Sequence, residues 1–436
     1  MNLAIALVVA VWVAALGQIA GRILRTTRLD ALVITAVLAE LAKKATYIVV
    51  GDPDKRLSLV LSAPLLLAAA WWVANRRQLG SGRALTAPSA WLVSWFAALA
   101  AFTFLNPEGT PLVLAGYLVF LLWFPAAGGL LGEAGRWTYR VLWVAVIVAL
   151  VNQVWGPDPL WRAYRAVAEP VSIGARYTPV TGYSGSIFSS PAELGAFTLA
   201  ACALLAASQR RPRGLLPLSL TASVLTGSRY VMLAVVLFWI ALMWSRVARL
   251  RPWQAVAAVL AYSPLQDALG RRIVDSPPEL GAAASPFLER LFTVGTLSAR
   301  VGFTEAWWGV LSQHWLVGIG LVDVFSPTAT YPDDRHNLIL WLLLRGGMLA
   351  LVAYFAFVLA HFRHFGRAGR VGQVGTAFLL AALVMSMGGP QATSSWFFLT
   401  LGTVFWRATR DGSRAAPVPA EPARHAFQAA VARPRE

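Results

Sequence analysis

The sequence predicts an all-α, polytopic membrane protein of about 12–13 spanning helices, with long outer loops that carry an amphipathic helix. Three observations predict it. The 436 residues are 58% hydrophobic and only 13% charged, whereas a soluble domain carries about 25% charged residues. Apolar runs of about 20 residues recur along the chain, continuous rather than alternating, which argues against a β-barrel. The 37 Lys and Arg against 20 Asp and Glu give a net charge of +17, and the basic residues fall in short segments between apolar runs. That is the pattern of loops kept on the cytoplasmic side, so the charge marks topology and a lipid bilayer, not nucleic acid.

Taken in order, the apolar runs place spans at 2–20, 30–50, 57–75, 87–105, 111–131 and 139–155. The first run has no basic leader and reads as a spanning helix rather than a cleaved signal. The second is the weakest, because Glu40, Lys43 and Lys44 lie within it and charges at mid-bilayer are costly; without it the spans number about twelve. A long polar and aromatic loop covers 156–191, followed by spans at 192–208, 214–227, 230–245 and 253–265. A second long loop covers 266–335, and the last spans are 337–360, 372–388 and 394–406. Residues 1–410 then form one transmembrane domain. Residues 411–436, rich in Ala, Pro and Arg, read as a disordered cytoplasmic tail. Arginine-rich segments on alternate sides put both long loops outside.

Charged residues on the outer side are not explained by topology, and three draw notice. Arg229 closes the turn Thr226-Gly-Ser-Arg between two apolar runs. Its planar fork can hold a phosphate oxygen, and the competing reading is a guanidinium reaching for lipid headgroups. Arg300 opens a stretch in which Val301, Trp308, Leu311 and Trp315 recur at helical spacing. An amphipathic helix of this kind is expected to lie on the membrane surface, with Arg300 either a second anion clamp or a solvated charge. His336 sits between Asp333, Asp334, Arg335 and Asn337, where a polar loop meets a span. Histidine exchanges a proton near neutral pH, and the start of a helix favours anions; the bland alternative is a capping or interfacial histidine. His314, His361 and His364 are assigned that bland role, the last two in a basic cytoplasmic loop. In the first long loop Arg176 is a candidate for substrate binding. Ser190 reads as a helix cap with Glu193 three residues on, and Glu193 stays open as a functional acid. Cys202 is the only cysteine, so no disulfide forms within the chain. No His, Asp or Glu cluster has metal-ligand spacing, and neither a P-loop nor a G-x-S-x-G is present; no metal or cofactor is expected.

Three stretches together resemble the O-antigen ligase and O-antigen polymerase superfamily of GT-C-type membrane glycosyltransferases. They are Pro191 to Gly195, the Leu-Thr-Gly-Ser-Arg turn ending at Arg229, and Ser298-x-Arg300 through Gly320 to His336-Asn337. The ligases carry His-Asn, nine residues, then Gly-x-x-Gly/Thr. Here His336-Asn337 is followed by nine residues and Gly347, while the last position is Ala350, a departure from the ligase pattern. The likeness spans roughly residues 180 to 390. It implies transfer of a glycan from a polyprenyl-pyrophosphate carrier at the periplasmic face of the bacterial inner membrane, without metal or nucleotide sugar. It also implies Arg229 and Arg300 as cations for the leaving pyrophosphate and His336 as the base. Arg176, Glu193, Arg335 and Asn337 are further candidates for holding pyrophosphate or glycan. The acceptor would be lipid A-core for a ligase or another carrier-linked glycan for a polymerase. A lipid or glycan transporter is the alternative from another class, and it would call for charged or broken helices near the midplane.

Overall fold

A helix made almost wholly of small residues and leucines organises the bundle. Pro191–Ala207, α4 in the chain order used here, is buried at every position from Leu194 to Ala207. Its Ala, Gly and Cys side chains let neighbouring helices approach closely on all sides. The computed structural model describes residues 27–50, 87–107, 135–154, 186–188, 190–208, 213–243, 307–322, 337–388 and 394–415, with parts of 253–261 and a few single positions. The described elements are helical, with no strand among them: α1 (Arg28–Val50), α2 (Ala87–Leu105), α3 (Arg136–Val154), α4, α5 (Leu215–Leu225), α6 (Arg229–Met243), α7 (Leu338–Phe365), α8 (Gly369–Met385) and α9 (Ser395–Ala415). α4 packs against α3, α5, α6, α8 and α9. One of these helices, Leu338–Phe365, is long and apolar enough to cross a membrane.

Two ends of the bundle can be told apart by who touches whom. Gly195 of α4 faces Val231 of α6, and Gly388, just past α8, faces the ring of Tyr230. The Leu338 N–H, opening α7, donates to the Ser386 carbonyl at the close of α8 (3.2 Å). Trp396, opening α9, packs on Phe188 and Phe197 at the start of α4, with centroids 6.2 and 4.9 Å away. The first turns of α4, α6, α7 and α9 and the last turn of α8 therefore share one end. At the other end Asp30 accepts from the Gly135 and Thr138 N–H groups and the Thr138 hydroxyl, capping α3 from α1. The Tyr139 hydroxyl donates to the Arg213 carbonyl (2.8 Å), and Thr409 meets His364 (3.1 Å). Of the described arginines, only Arg229 and Arg345 lie away from this second, basic end.

Several expected boundaries move. α7 runs to Phe365 rather than 360, so His361 and His364 lie in its last turns and not in a loop. His361 is fully buried beside Phe357 and Phe405, with centroids 4.4 and 5.2 Å away. Phe357, His361 and His364 each pack on a phenylalanine of α9, which gives that stretch a partner. α9 likewise continues to Ala415, past the expected tail boundary at 410.

The larger correction concerns α7, read from sequence as one uninterrupted span. Gly347 has φ 61° and ψ −165°, and it breaks the helix. The break is filled by residues 307–322. Residues 307–314 are helical, with Trp307 and Leu311 in one apolar cluster with Leu340 and Leu344. The Met348 N–H then donates to the Trp315 carbonyl (3.0 Å). The short helix thus runs alongside the first turns of α7. The chain turns at 315–317 and returns through Gly318–Val322, all buried, as a re-entrant hairpin. Of the expected apolar stripe, Leu311 is buried as read, but Trp308 and Trp315 are exposed and Trp307 takes the inward place, while Val301 lies outside the described residues. Adjacent tryptophans made both faces look apolar, and packing on α7 selected one.

Candidate functional site

The turn that presents Arg229 is built by its own three preceding residues. The Thr226 hydroxyl donates to the Ser223 carbonyl (2.6 Å) and accepts from the Ser228 N–H (3.1 Å). Gly227 takes the left-handed conformation (φ 66°) that ends a helix without a Cβ penalty, and its N–H reaches the Val224 carbonyl. The Ser228 carbonyl accepts from Met232, so α6 starts at once. α5 has 11 residues and α4 has 17. At a rise of 1.5 Å per residue they are about 16 and about 25 Å long. The turn therefore stops short of where α4 begins, which is why Val231 meets Gly195, four residues inside α4. Arg229 is partly buried at this turn.

Two other candidates border the same end. The Ser190 hydroxyl accepts from the Glu193 N–H (3.2 Å), with Pro191 at the first helical position, so the expected cap is present. Glu193 follows in the first turn, on the helix whose Gly195 touches the start of α6. Asn337 caps α7, its Oδ1 accepting from the Ile339 and Leu340 N–H groups at 2.9 and 3.3 Å. That oxygen is committed to the helix, which argues for a structural share in its role. Asn337→Ala is expected to cost about 1 kcal/mol of stability, read as a fall in thermal midpoint, whereas Asn337→Asp keeps the cap and the midpoint. His336, Arg300, Arg176 and Arg335 lie outside the described residues. Among the described residues no group of His, Cys, Asp and Glu is placed to hold a metal ion.

One functional-looking residue went unnoticed in the sequence. Arg345 stands within the apolar run of α7 and is 4% exposed. Its Nη1 donates to the Gly320 and Val322 carbonyls at 3.3 and 3.2 Å. It ties the return limb of the hairpin to the helix it interrupts. The rest of that limb is satisfied in kind. Ile319 and Gly320 N–H groups donate to the Leu344 and Arg345 carbonyls freed by the break. The Leu321 N–H donates to Thr103 (2.9 Å), and Asn106 Nδ2 donates to the Ile319 carbonyl (2.6 Å), both from the end of α2. An arginine directly before Gly346-Gly347 in an otherwise apolar run was the available signal. Arg345→Met leaves two buried carbonyls without their charged donor. It is expected to destabilise the protein by about 2–4 kcal/mol, measured by thermal or denaturant unfolding in detergent.

The described residues on either side of the stretch that carries His336, Val322 and Asn337, are each anchored. Val322 is held by Arg345 and by a bridge to Gly109, and Asn337 by its cap and the Leu338 hydrogen bond. The anchors come from α7 through Arg345 and the cap, and from Gly109 and Ser386 outside it. Scans of family models and searches of curated sequences and solved structures return no match to this chain.

Proposed function

We propose that the chain is a membrane glycosyltransferase of the O-antigen ligase kind, moving a glycan from a polyprenyl-pyrophosphate carrier to a hydroxyl of lipid A-core at the periplasmic face of the inner membrane. The observation that carries this is a convergence. The start of α4 with Glu193, the Arg229 turn and the start of α7 directly after His336 gather at one end of the bundle. These belong to the stretches on which the family resemblance rests. The described arginines of the basic end lie opposite, as a cytoplasmic face requires. A bilayer around the bundle is supported by large apolar side chains turned outward on several helices, including Trp143 and Ile147 on α3, Leu233 and Ile240 on α6, and Leu349 and Val352 on α7. The re-entrant limb fits as well, since non-helical backbone at membrane depth is tolerated only where protein buries it.

In this reading the acceptor hydroxyl attacks the anomeric carbon as the bond to the pyrophosphate oxygen breaks. His336 takes the hydroxyl proton, and polyprenyl pyrophosphate departs with the bonding electrons. Arg229 and Arg300 neutralise the charge growing on the leaving group. Direct displacement inverts the anomeric centre. No cofactor enters these steps. A polymerase would use the same cations with a second carrier-linked glycan as acceptor.

One observation favours the transport reading: α7 is broken, with a buried arginine beside the break. Against it, the Leu344 and Arg345 carbonyls and the Met348 N–H at that break are already taken by the hairpin, which leaves the break plugged rather than open to a ligand. The deciding experiment incubates purified protein with polyprenyl-pyrophosphate glycan, with and without lipid A-core. Product on lipid A-core alone supports the ligase, and a ladder on the carrier points to the polymerase. Carrier redistribution between leaflets with no covalent product would overturn the enzyme reading.

A further inference from the structure

The basic end holds a feature that glycan transfer does not use. Arg136 and Arg140 stand one turn apart at the start of α3, both exposed. The Arg140 guanidinium lies over the Trp137 ring, 4.8 Å from its centroid, which keeps it at the surface. The Tyr139 hydroxyl pins the backbone of Arg213 beside them at 2.8 Å, and Arg213 is itself exposed at the start of α5. One turn further along, Trp143 packs edge-on against Tyr139 at 6.4 Å while remaining exposed. Exposed Val144 continues the apolar strip on α3, and exposed Leu216 continues it on α5. Asp30, the buried carboxylate nearby, is taken by the α3 cap.

We propose that the starts of α3 and α5 form a binding site for an anionic phospholipid, its phosphate held by Arg140 and Arg213 with Arg136 alongside, and its acyl chains along the strip from Trp143 to Leu216. The inference rests on the membrane reading above. Charge complementarity selects the headgroup: exposed arginines at the start of α3 and just before α5 favour a negative phosphate with no compensating amine, so phosphatidylglycerol is preferred over phosphatidylcholine. Continuity with outward apolar side chains selects a lipid over a soluble anion. The aromatic residues sit between the two, as interfacial residues do.

The test reconstitutes the full chain into vesicles containing a photoactivatable phosphatidylglycerol or phosphatidylcholine analogue, and measures cross-linking to peptides covering 136–154 and 213–225. The wild type should capture the phosphatidylglycerol analogue preferentially. Each surface arginine contributes about a fivefold preference, so Arg140→Gln with Arg213→Gln should weaken capture on the order of 25-fold. Arg140→Lys with Arg213→Lys should restore most of it, which separates charge from damage to the fold. Equal capture of both lipids by the wild type, or capture untouched by the Gln pair, would overturn the site while leaving the membrane reading intact. A protein that fails to enter vesicles at all would bring down both.

Discussion

Gly347→Ala is expected to destabilise the protein by about 3 kcal/mol or more, seen as a large fall in thermal midpoint in detergent. Two causes add. At φ 61° and ψ −165° the backbone is in a region that side-chain-bearing residues rarely adopt. A Cβ built there would also run into the Leu316 carbonyl, which belongs to the turn of the hairpin. The hairpin cannot yield cheaply, because the atoms the Cβ would meet are backbone atoms of Leu316 and Val317. The same closeness recurs on the facing limb, where a Cβ on Gly318 would lie 2.6 Å from the Gly347 nitrogen. Gly309 supplies the control. A Cβ there meets nothing within 4 Å, so Gly309→Ala in the short helix should leave the midpoint unchanged or raise it slightly. Equal midpoints for Gly347→Ala and Gly309→Ala would mean that the break and its hairpin do not hold the fold together.

The second large effect is on transfer. His336→Ala should lower kcat by about 10²–10⁴-fold with little change in KM for the carrier-linked donor, because the base acts on the acceptor hydroxyl. Arg229→Lys should lower kcat by about 10²-fold: lysine keeps the charge but not the planar fork, and the turn at Thr226–Ser228 fixes where the fork starts. A variant in which activity and midpoint fall together would reassign Arg229 to structure.

Much of the scaffold was legible because hydrophobic run length is a strong signal. The expected span 87–105 coincides with α2. Ser190 and Pro191 announced the start of α4, and Thr-Gly-Ser announced the turn before Arg229, because caps and left-handed glycines act locally. The break in α7 was not legible from its apolar run. It depends on a partner, residues 315–320, that the sequence places some thirty positions earlier, so no local periodicity encodes it. Arg345 before Gly346-Gly347 is a local signal, but its partners, the Gly320 and Val322 carbonyls, carry no side-chain signature. In the 307–314 helix Leu311 faces inward as expected, but Trp308 does not, because consecutive Trp307 and Trp308 offer two apolar faces and only the Leu340 and Leu344 surface decides between them. Arg229, Glu193 and Asn337 stand at helix starts, as the cap and turn residues beside them indicate. Their shared end emerged only from contacts between Tyr230 and Gly388, Val231 and Gly195, and Leu338 and Ser386.

The central claim is that the cation of the α6 turn and the histidine before α7 face one substrate. Spin labels on Ser228→Cys and Asp334→Cys, read by pulsed dipolar spectroscopy in reconstituted protein, measure it directly. The account predicts one narrow separation, well below the roughly 30 Å length of a 20-residue helix. A separation of about 30 Å or more would put Arg229 and His336 in different places and contradict a shared pyrophosphate site.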